Sequence, residues 1–200
     1  MSPIWFALIP AAYLVGTFPS AIMVAKASGI DITAEGSGNP GASNVARVLG
    51  WRRGWIVLAL DIAKGAIAAG TGWAVSGRPL AYICVAAATL GHMYPVTRRF
   101  RGGKGVATVG GSMFVLQPIA APALLALWFI VSKVTRKASI ASIAIMVLLP
   151  ACAAVAGSPG WEVAAIVGLC VVVMAKHTEN IKRLIHHEEL STSDVHDKTP

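Results

Sequence analysis

Residues 3–25 carry no charged side chain, and neither do residues 105–132. An apolar helix of about 20 residues spans the ~30 Å hydrocarbon core of a bilayer, so uninterrupted runs of this length point to a membrane protein. Composition agrees. The chain is 200 residues long, 56% hydrophobic and only 13% charged, with a mean hydropathy of +0.67. Soluble domains carry about 25% charged residues, and a compact soluble core cannot hide this much Ala, Val, Ile and Leu. The 20 Gly and 11 Pro follow no fixed period, which excludes collagen, coiled coil and low-complexity disorder. The expected class is an all-α polytopic membrane protein.

Further apolar stretches run over 55–75, 80–96, 139–156 and 161–175. The turn Ser76-Gly77-Arg78-Pro79 joins the first two, and Gly157-Ser158-Pro159-Gly160 joins the last two. Gln117-Pro118 and Pro122 interrupt 105–132, leaving it to be one long span or two short ones. Two spans put the segment 26–54, the Arg98–Lys104 loop and the Lys133–Lys137 loop on one side, as the positive-inside rule favours. The count is then seven, with the N-terminus outside and the C-terminus cytoplasmic. No Lys or Arg precedes the first run, so it reads as a retained span and not a signal peptide. Residues 185–200 are polar, without apolar periodicity, and are expected to form a mobile tail. No internal repeat is visible.

Seventeen Lys and Arg against nine acids give a net charge of +8. The basic residues sit between apolar spans without the aromatic interleaving of a base-stacking platform, so the expected partner is the bilayer and not nucleic acid. Cys84, Cys152 and Cys170 are widely spaced in apolar runs and suggest neither a disulfide framework nor a metal site. No metal and no cofactor is expected.

Four polar stretches fall on the cytoplasmic side of this topology. The first is Gly36-Ser37-Gly38-Asn39-Pro40-Gly41-Ala42-Ser43-Asn44 with Arg47. Its glycines let backbone N–H groups turn toward an anion, and a helix expected after Asn44 would put Arg47 in its first turn. A flexible Gly/Ser linker is the alternative. The second is Gly91-His92 followed by Gly102-Gly103-Lys104-Gly105, where backbone and a point charge suit phosphate. It lacks the spacing of a Walker loop, and a plain positive-inside turn is the alternative. The third is Thr135-Arg136 with Ser139 and Ser142, whose commonest role is helix packing. The fourth is Lys176–Arg183, with His177 and Asn180 on one helix face and Glu179 set to pair with Arg183. Asp61 and Lys64 lie within a span at i,i+3, where ionisable residues pair or face a polar cavity. Taken together, these stretches describe an anion site at the membrane surface with no activated Ser or Cys nucleophile.

At these residues the chain resembles the bacterial membrane glycerol-3-phosphate acyltransferases that use acyl phosphate, the PlsY family. Gly36–Asn44 with Arg47 is similar to the family's first motif, Gly91-His92 through Thr108 to its second, and His177 through Leu184 to its third. Leu60-Asp61, Lys64-Gly65 and Thr135-Arg136 with Ser139 and Ser142 also fit. The resemblance implies a single seven-helix domain over 1–184 in the bacterial inner membrane, acting as a monomer at the cytoplasmic face. It implies acyl transfer from acyl phosphate to glycerol-3-phosphate, giving lysophosphatidic acid and phosphate for phospholipid biosynthesis. Ser37, Arg47 and Lys104 would hold phosphate groups. Gly38, Asn39, Gly41, Ala42, Ser43 and Asn44 would bind the acyl phosphate, with His92, Gly102 and Gly103 also lining the substrates. Ser142, His177 and Asn180, with Lys104, would act at the reacting centre. The rival proton acceptor to the substrate phosphate is His177. The chain departs from the family at Tyr94, at Thr97-Arg98, and after Leu184, where His186-His187 replaces the usual Gly. A transporter of a phosphate-containing anion is the alternative function.

Overall fold

The computed structural model describes residues 3–192, so the last eight residues of the expected tail lie outside the described residues. All regular structure among the described residues is helical. Exposure is inverted relative to a soluble protein. Val155 is 90% and Ile119 87% exposed, whereas Asp61, Lys64 and Glu162 are 2%, 4% and 1% exposed. Apolar side chains that face outward and ionisable ones that face inward are what a hydrocarbon solvent demands. Three helical stretches, Ala7–Lys26, Trp51–Arg98 and Ala138–Val155, are long and apolar enough to cross a membrane. Gly160–Ala175 with Thr178–Ile185, bent by 59°, makes a fourth if counted as one span.

The described chain gathers into two compact units, one ending at Leu116 and the other beginning at Gln117. In the first unit, α1 (Pro3–Gly16) and α2 (Ser20–Lys26) divide the run that the sequence presents as one span. The break falls at Thr17-Phe18-Pro19, where proline offers no N–H and the Thr17 hydroxyl donates back to Leu14 O at 2.7 Å. After α3 (Ala42–Leu49) comes α4 (Trp51–Met93). Ser76 (φ −153°, ψ 31°) and Gly77 (φ 74°, ψ −170°) leave helical geometry, so α4 is a hairpin of two arms, as the Ser76–Pro79 turn predicts. The arms touch at once: a Cβ on Gly72 would sit 2.6 Å from Ala81 Cα. Arg78 lies over the Trp73 ring at 4.9 Å. It also donates to Leu116 O at 3.0 Å, satisfying a carbonyl at the end of α5 (Val106–Leu116).

Small residues set the remaining contacts of this unit. A Cβ on Gly16 would fall on Ala88 O, and one on Gly91 would fall on Tyr13 O, so α1 lies backbone against backbone on the second arm of α4. A Cβ on Gly65 would meet Thr108 O, and one on Gly111 would meet Ile62 O, which seats α5 on the first arm. Tyr13 closes the lower end. Its hydroxyl donates to Tyr94 O at 2.7 Å and accepts from Val96 N at 3.0 Å.

The second unit holds α6 (Ala120–Thr135), α7 (Ala138–Val155), α8 (Gly160–Ala175) and α9 (Thr178–Ile185). Helix α5 stops at Leu116 and α6 starts at Ala120, so Gln117-Pro118 does break the long apolar run. The Gln117 amide donates to Ser158 Oγ at 2.9 Å. Arg136 takes a left-handed conformation (φ 55°) to turn the chain from α6 into α7.

Candidate functional site

The glycine-rich segment opens on a turn in which Asp31 Oδ1 accepts from Thr33 Oγ1 at 2.7 Å and Thr33 N at 3.0 Å. These two bonds, the hydroxyl's first, hold the Asp31 carboxyl below its ordinary pKa. Gly36 and Gly38 then adopt φ of 58° and 66°, a region closed to most L residues. Their turn wraps around one buried side chain. Asn44 donates to Glu35 O at 3.0 Å and to Ile32 O at 3.3 Å. Its Oδ1 accepts from Ser37 N at 2.9 Å and from Arg47 Nη1 at 3.2 Å. Asn39 N in turn reaches Ser37 Oγ at 3.4 Å.

The segment is therefore an organised loop and not a flexible linker, with Asn44 as its organiser. Helix α3 begins at Ala42, earlier than the sequence suggests, because Asn44 N and Val45 N both reach Gly41 O at 3.1 Å. That correction moves Arg47 from the first turn to the last. Its guanidinium is oriented by Asn44 and not by the helix N-terminus.

The second cluster sits where α4 ends. Gly103 N donates to His92 O at 3.1 Å. A Cβ on Gly102 would fall on His92 O and lie 2.7 Å from Met93 O, while one on Gly103 would fall on the His92 imidazole at Nε2. Both glycines are thus required by close approach, and the half-buried Lys104 follows directly. His92 is 5% exposed, with Nδ1 3.8 Å from Asp61 Oδ1. Asp61 pairs with Lys64 at 2.9 Å and accepts from Ser20 Oγ at 2.5 Å. Lys64 Nζ reaches Phe18 O at 3.2 Å, in the break between α1 and α2. Ser20 and the Phe18 carbonyl carry no sequence signal for this role, because their partners lie 41 and 46 residues away.

In the second unit, Ser142 Oγ donates to Ala138 O at 2.9 Å and accepts from Trp128 Nε1 at 3.0 Å. His177 stands at the bend between α8 and α9, with Nδ1 2.9 Å from Val173 O. A carbonyl partner requires the proton on Nδ1, which makes Nε2 the acceptor of the neutral ring. Asn180 donates to Glu189 Oε1 at 2.7 Å, and Arg183 Nε to Glu189 Oε2 at 2.9 Å. The expected Glu179–Arg183 pair gives way to Glu179–Lys182 at 2.9 Å, because the chain doubles back after α9 and presents Glu189 instead. His187 makes that reversal at φ 59°, and Thr192 N is bonded to Arg136 O at 2.7 Å. Lys182 holds the Glu179 carboxyl below its ordinary pKa, by hydrogen bond and charge. Among the described residues, no group of three or more His, Cys, Asp or Glu is placed to hold a metal ion.

Helices long and apolar enough to cross a membrane, a glycine loop that orients an arginine, and a second glycine pair beside a lysine, all within described residues that are helical in their regular structure, define the class of a polytopic α-helical membrane protein. The family model "Glycerol-3-phosphate acyltransferase" matches residues 6–187. Glycerol-3-phosphate acyltransferases of Thioalkalivibrio sulfidiphilus and Thermus thermophilus are each 38% identical, the first over 92% of this chain and 91% of its own, the second over 90% of both. That of Geotalea daltonii is 40% identical over 88% of this chain and 92% of its own. The crystal structure of PlsY, an integral membrane glycerol 3-phosphate acyltransferase, superposes in its glycerol 3-phosphate form with a TM-score of 0.89 at 35% identity. It covers 94% of this chain and 95% of that one. The lysophosphatidic acid form gives 0.88 at 35% identity, over 96% and 98%. The chain belongs to the glycerol-3-phosphate acyltransferase family and is a multi-pass membrane acyltransferase, so the transporter alternative falls away.

Proposed function

We propose that this enzyme transfers a fatty acyl group from acyl phosphate to the hydroxyl of glycerol-3-phosphate, releasing lysophosphatidic acid and phosphate. The observation that carries the reading is the loop closed by Asn44, which orders the glycine-rich turn and orients the Arg47 guanidinium beside it. Acyl phosphate is an activated mixed anhydride, so no covalent nucleophile is needed. The glycerol oxygen adds to the acyl carbon, the carbon–oxygen bond to phosphate breaks, and the hydroxyl proton passes to a phosphate oxygen of the donor. Ser37, Arg47 and Lys104 hold the phosphates. Backbone over Gly38 to Ser43 binds the acyl phosphate. The N–H groups of Gly38, Asn39 and Gly41 hold the loop's own shape, so those of Ala42 and Ser43, in the first turn of α3, are the ones to stabilise the developing oxyanion. His92, Gly102 and Gly103 shape the second phosphate contact. Ser142, His177 and Asn180 orient the reactants.

The same reading assigns seven crossings within a single domain over 1–184, with α4 counted as two and α1 with α2 as one. The N-terminus is outside, and the chemistry is at the cytoplasmic face of the inner membrane. Arg78 as the only basic residue in an outer loop supports that orientation. Helix α5, at ~16 Å for 11 residues, is the shortest of the seven segments so counted. The same reading takes the enzyme to act as a monomer. The catalytic domain is assigned to end at 184, although Glu189 and Thr192, beyond that boundary, bond back to Asn180, Arg183 and Arg136.

Purified protein in detergent, given acyl phosphate, is expected to release phosphate only when glycerol-3-phosphate is added, and to form no product from acyl-CoA. Release without the acceptor, or equal turnover of acyl-CoA, would overturn the assignment. Asn44→Ala is expected to raise the KM for acyl phosphate about tenfold or more, because the loop loses four hydrogen bonds together. An unchanged KM would show that the loop needs no organiser.

A further inference from the structure

The buried ion pair Asp61–Lys64 is costly to hold within a membrane-spanning helix, and no reacting group in the mechanism above uses it. Its surroundings are specific. Asp61 collects Ser20 Oγ from the start of α2, Lys64 Nζ from its own arm, and the edge of the His92 imidazole from the other arm of α4. Lys64 adds the Phe18 carbonyl at the helix break. The imidazole is then confined on two sides, by Asp61 Oδ1 and by the Cα of Gly103, where a Cβ would strike its Nε2. The His92 carbonyl bonds Gly103 N and leaves no space for a side chain on Gly102.

We propose that Asp61 is a positioning residue for the Gly102–Gly105 loop, acting through His92. The carboxylate sets the tilt of the imidazole, the imidazole sets how closely Gly103 approaches, and Lys104 follows as the next residue. Lys64 and Ser20 hold the carboxylate in register and tie it to the α1–α2 break. The inference rests on the proposed role of Lys104 in gripping phosphate, but the loop's position can be read without any reaction.

Two measurements test it. Amide hydrogen exchange over 102–105 in detergent is expected to quicken about tenfold or more in Asp61→Asn, since the imidazole against which Gly103 packs is no longer held and the Gly103 N–H bond to His92 O opens more often. Turnover is read in parallel as a double-mutant cycle with His92→Asn. Asp61→Asn should lower kcat/KM about tenfold or more in the wild-type background and less than about threefold beside His92→Asn. Unchanged exchange, or the same fold-loss in both backgrounds, would overturn the proposal. Faster exchange in Asp61→Asn, when the wild-type protein itself transfers no acyl group, would sustain the positioning and sink the reaction assignment. Should Asp61→Asn leave Lys64 a buried cation without its counter-ion and the fold fail, Ser20→Ala loosens the same carboxylate with both charges kept. The same cycle then decides, with exchange and turnover moving in the same directions.

Discussion

Replacing Lys104 by Ala is expected to lower kcat/KM by about 10²- to 10³-fold, the loss typical when one fixed donor is removed from a developing negative charge. In the proposed reaction both substrates carry phosphate, and negative charge builds on the carbonyl oxygen and the leaving phosphate as the acyl carbon becomes tetrahedral. A cation held at a surface that is partly dry acts on that charge with less screening than it would in water. Lys104 is half-buried and follows the two glycines packed against His92, so its stem is short of freedom before any substrate arrives. Lys104→Arg keeps the charge but swaps a point ammonium for a planar fork, and is expected to recover only part of the loss. Phosphate release by the purified protein gives the answer, with thermal unfolding as the check on folding. Turnover of Lys104→Ala within about threefold of wild type, at an unchanged unfolding temperature, would remove Lys104 from the anion site.

What the chain discloses in its letters is what depends on neighbours close in sequence. The hairpin at Ser76–Pro79 and the break at Gln117-Pro118 are legible because glycine and proline act on the backbone where they stand. The glycine clusters at 36–41 and 102–105 are legible as tight turns and close approaches for the same reason. The division of the first span at Thr17-Phe18-Pro19 is not, since a proline inside an apolar run is tolerated when distant groups satisfy the freed backbone. Here that group is Lys64, bonded to Phe18 O from another helix. Asn44 reads as one more polar residue of the motif. Only the fold shows that its amide is spent on Ile32, Glu35, Ser37 and Arg47 and so shapes the loop. Glu189 reads as part of a solvated tail, yet it is bonded to Asn180 and Arg183, because the left-handed turn at His187 returns the chain onto α9. Helical periodicity pairs Glu179 with Arg183, and it cannot anticipate a competitor arriving from beyond the helix.

Gly102→Ala is expected to cost about 10²-fold in kcat/KM while leaving the fold intact. The added methyl would fall on the His92 carbonyl oxygen and lie 2.7 Å from both Met93 O and Pro95 Cδ. None of these can step aside. Two belong to backbone at the end of α4, and Pro95 precedes the 3-10 turn at Val96–Arg98. The loop must therefore move, and a shift near 1 Å at a residue that holds a reactant is worth about 10²-fold in rate. The rest of the unit has contacts of its own: α1, α4 and α5 are locked backbone to backbone at Gly16, Gly91, Gly65 and Gly111, none of which meets the loop. Thermal unfolding of Gly102→Ala should accordingly stay close to wild type. Gly110→Ala is the matching control. A Cβ there meets nothing within 4 Å, and alanine is the better helix former, so activity should be unchanged and stability equal or slightly higher. A Gly102→Ala enzyme with wild-type turnover would mean that the loop's approach to His92 is packing without consequence for the substrates. Lys104 would then be gripping phosphate, if at all, from a position that tolerates displacement.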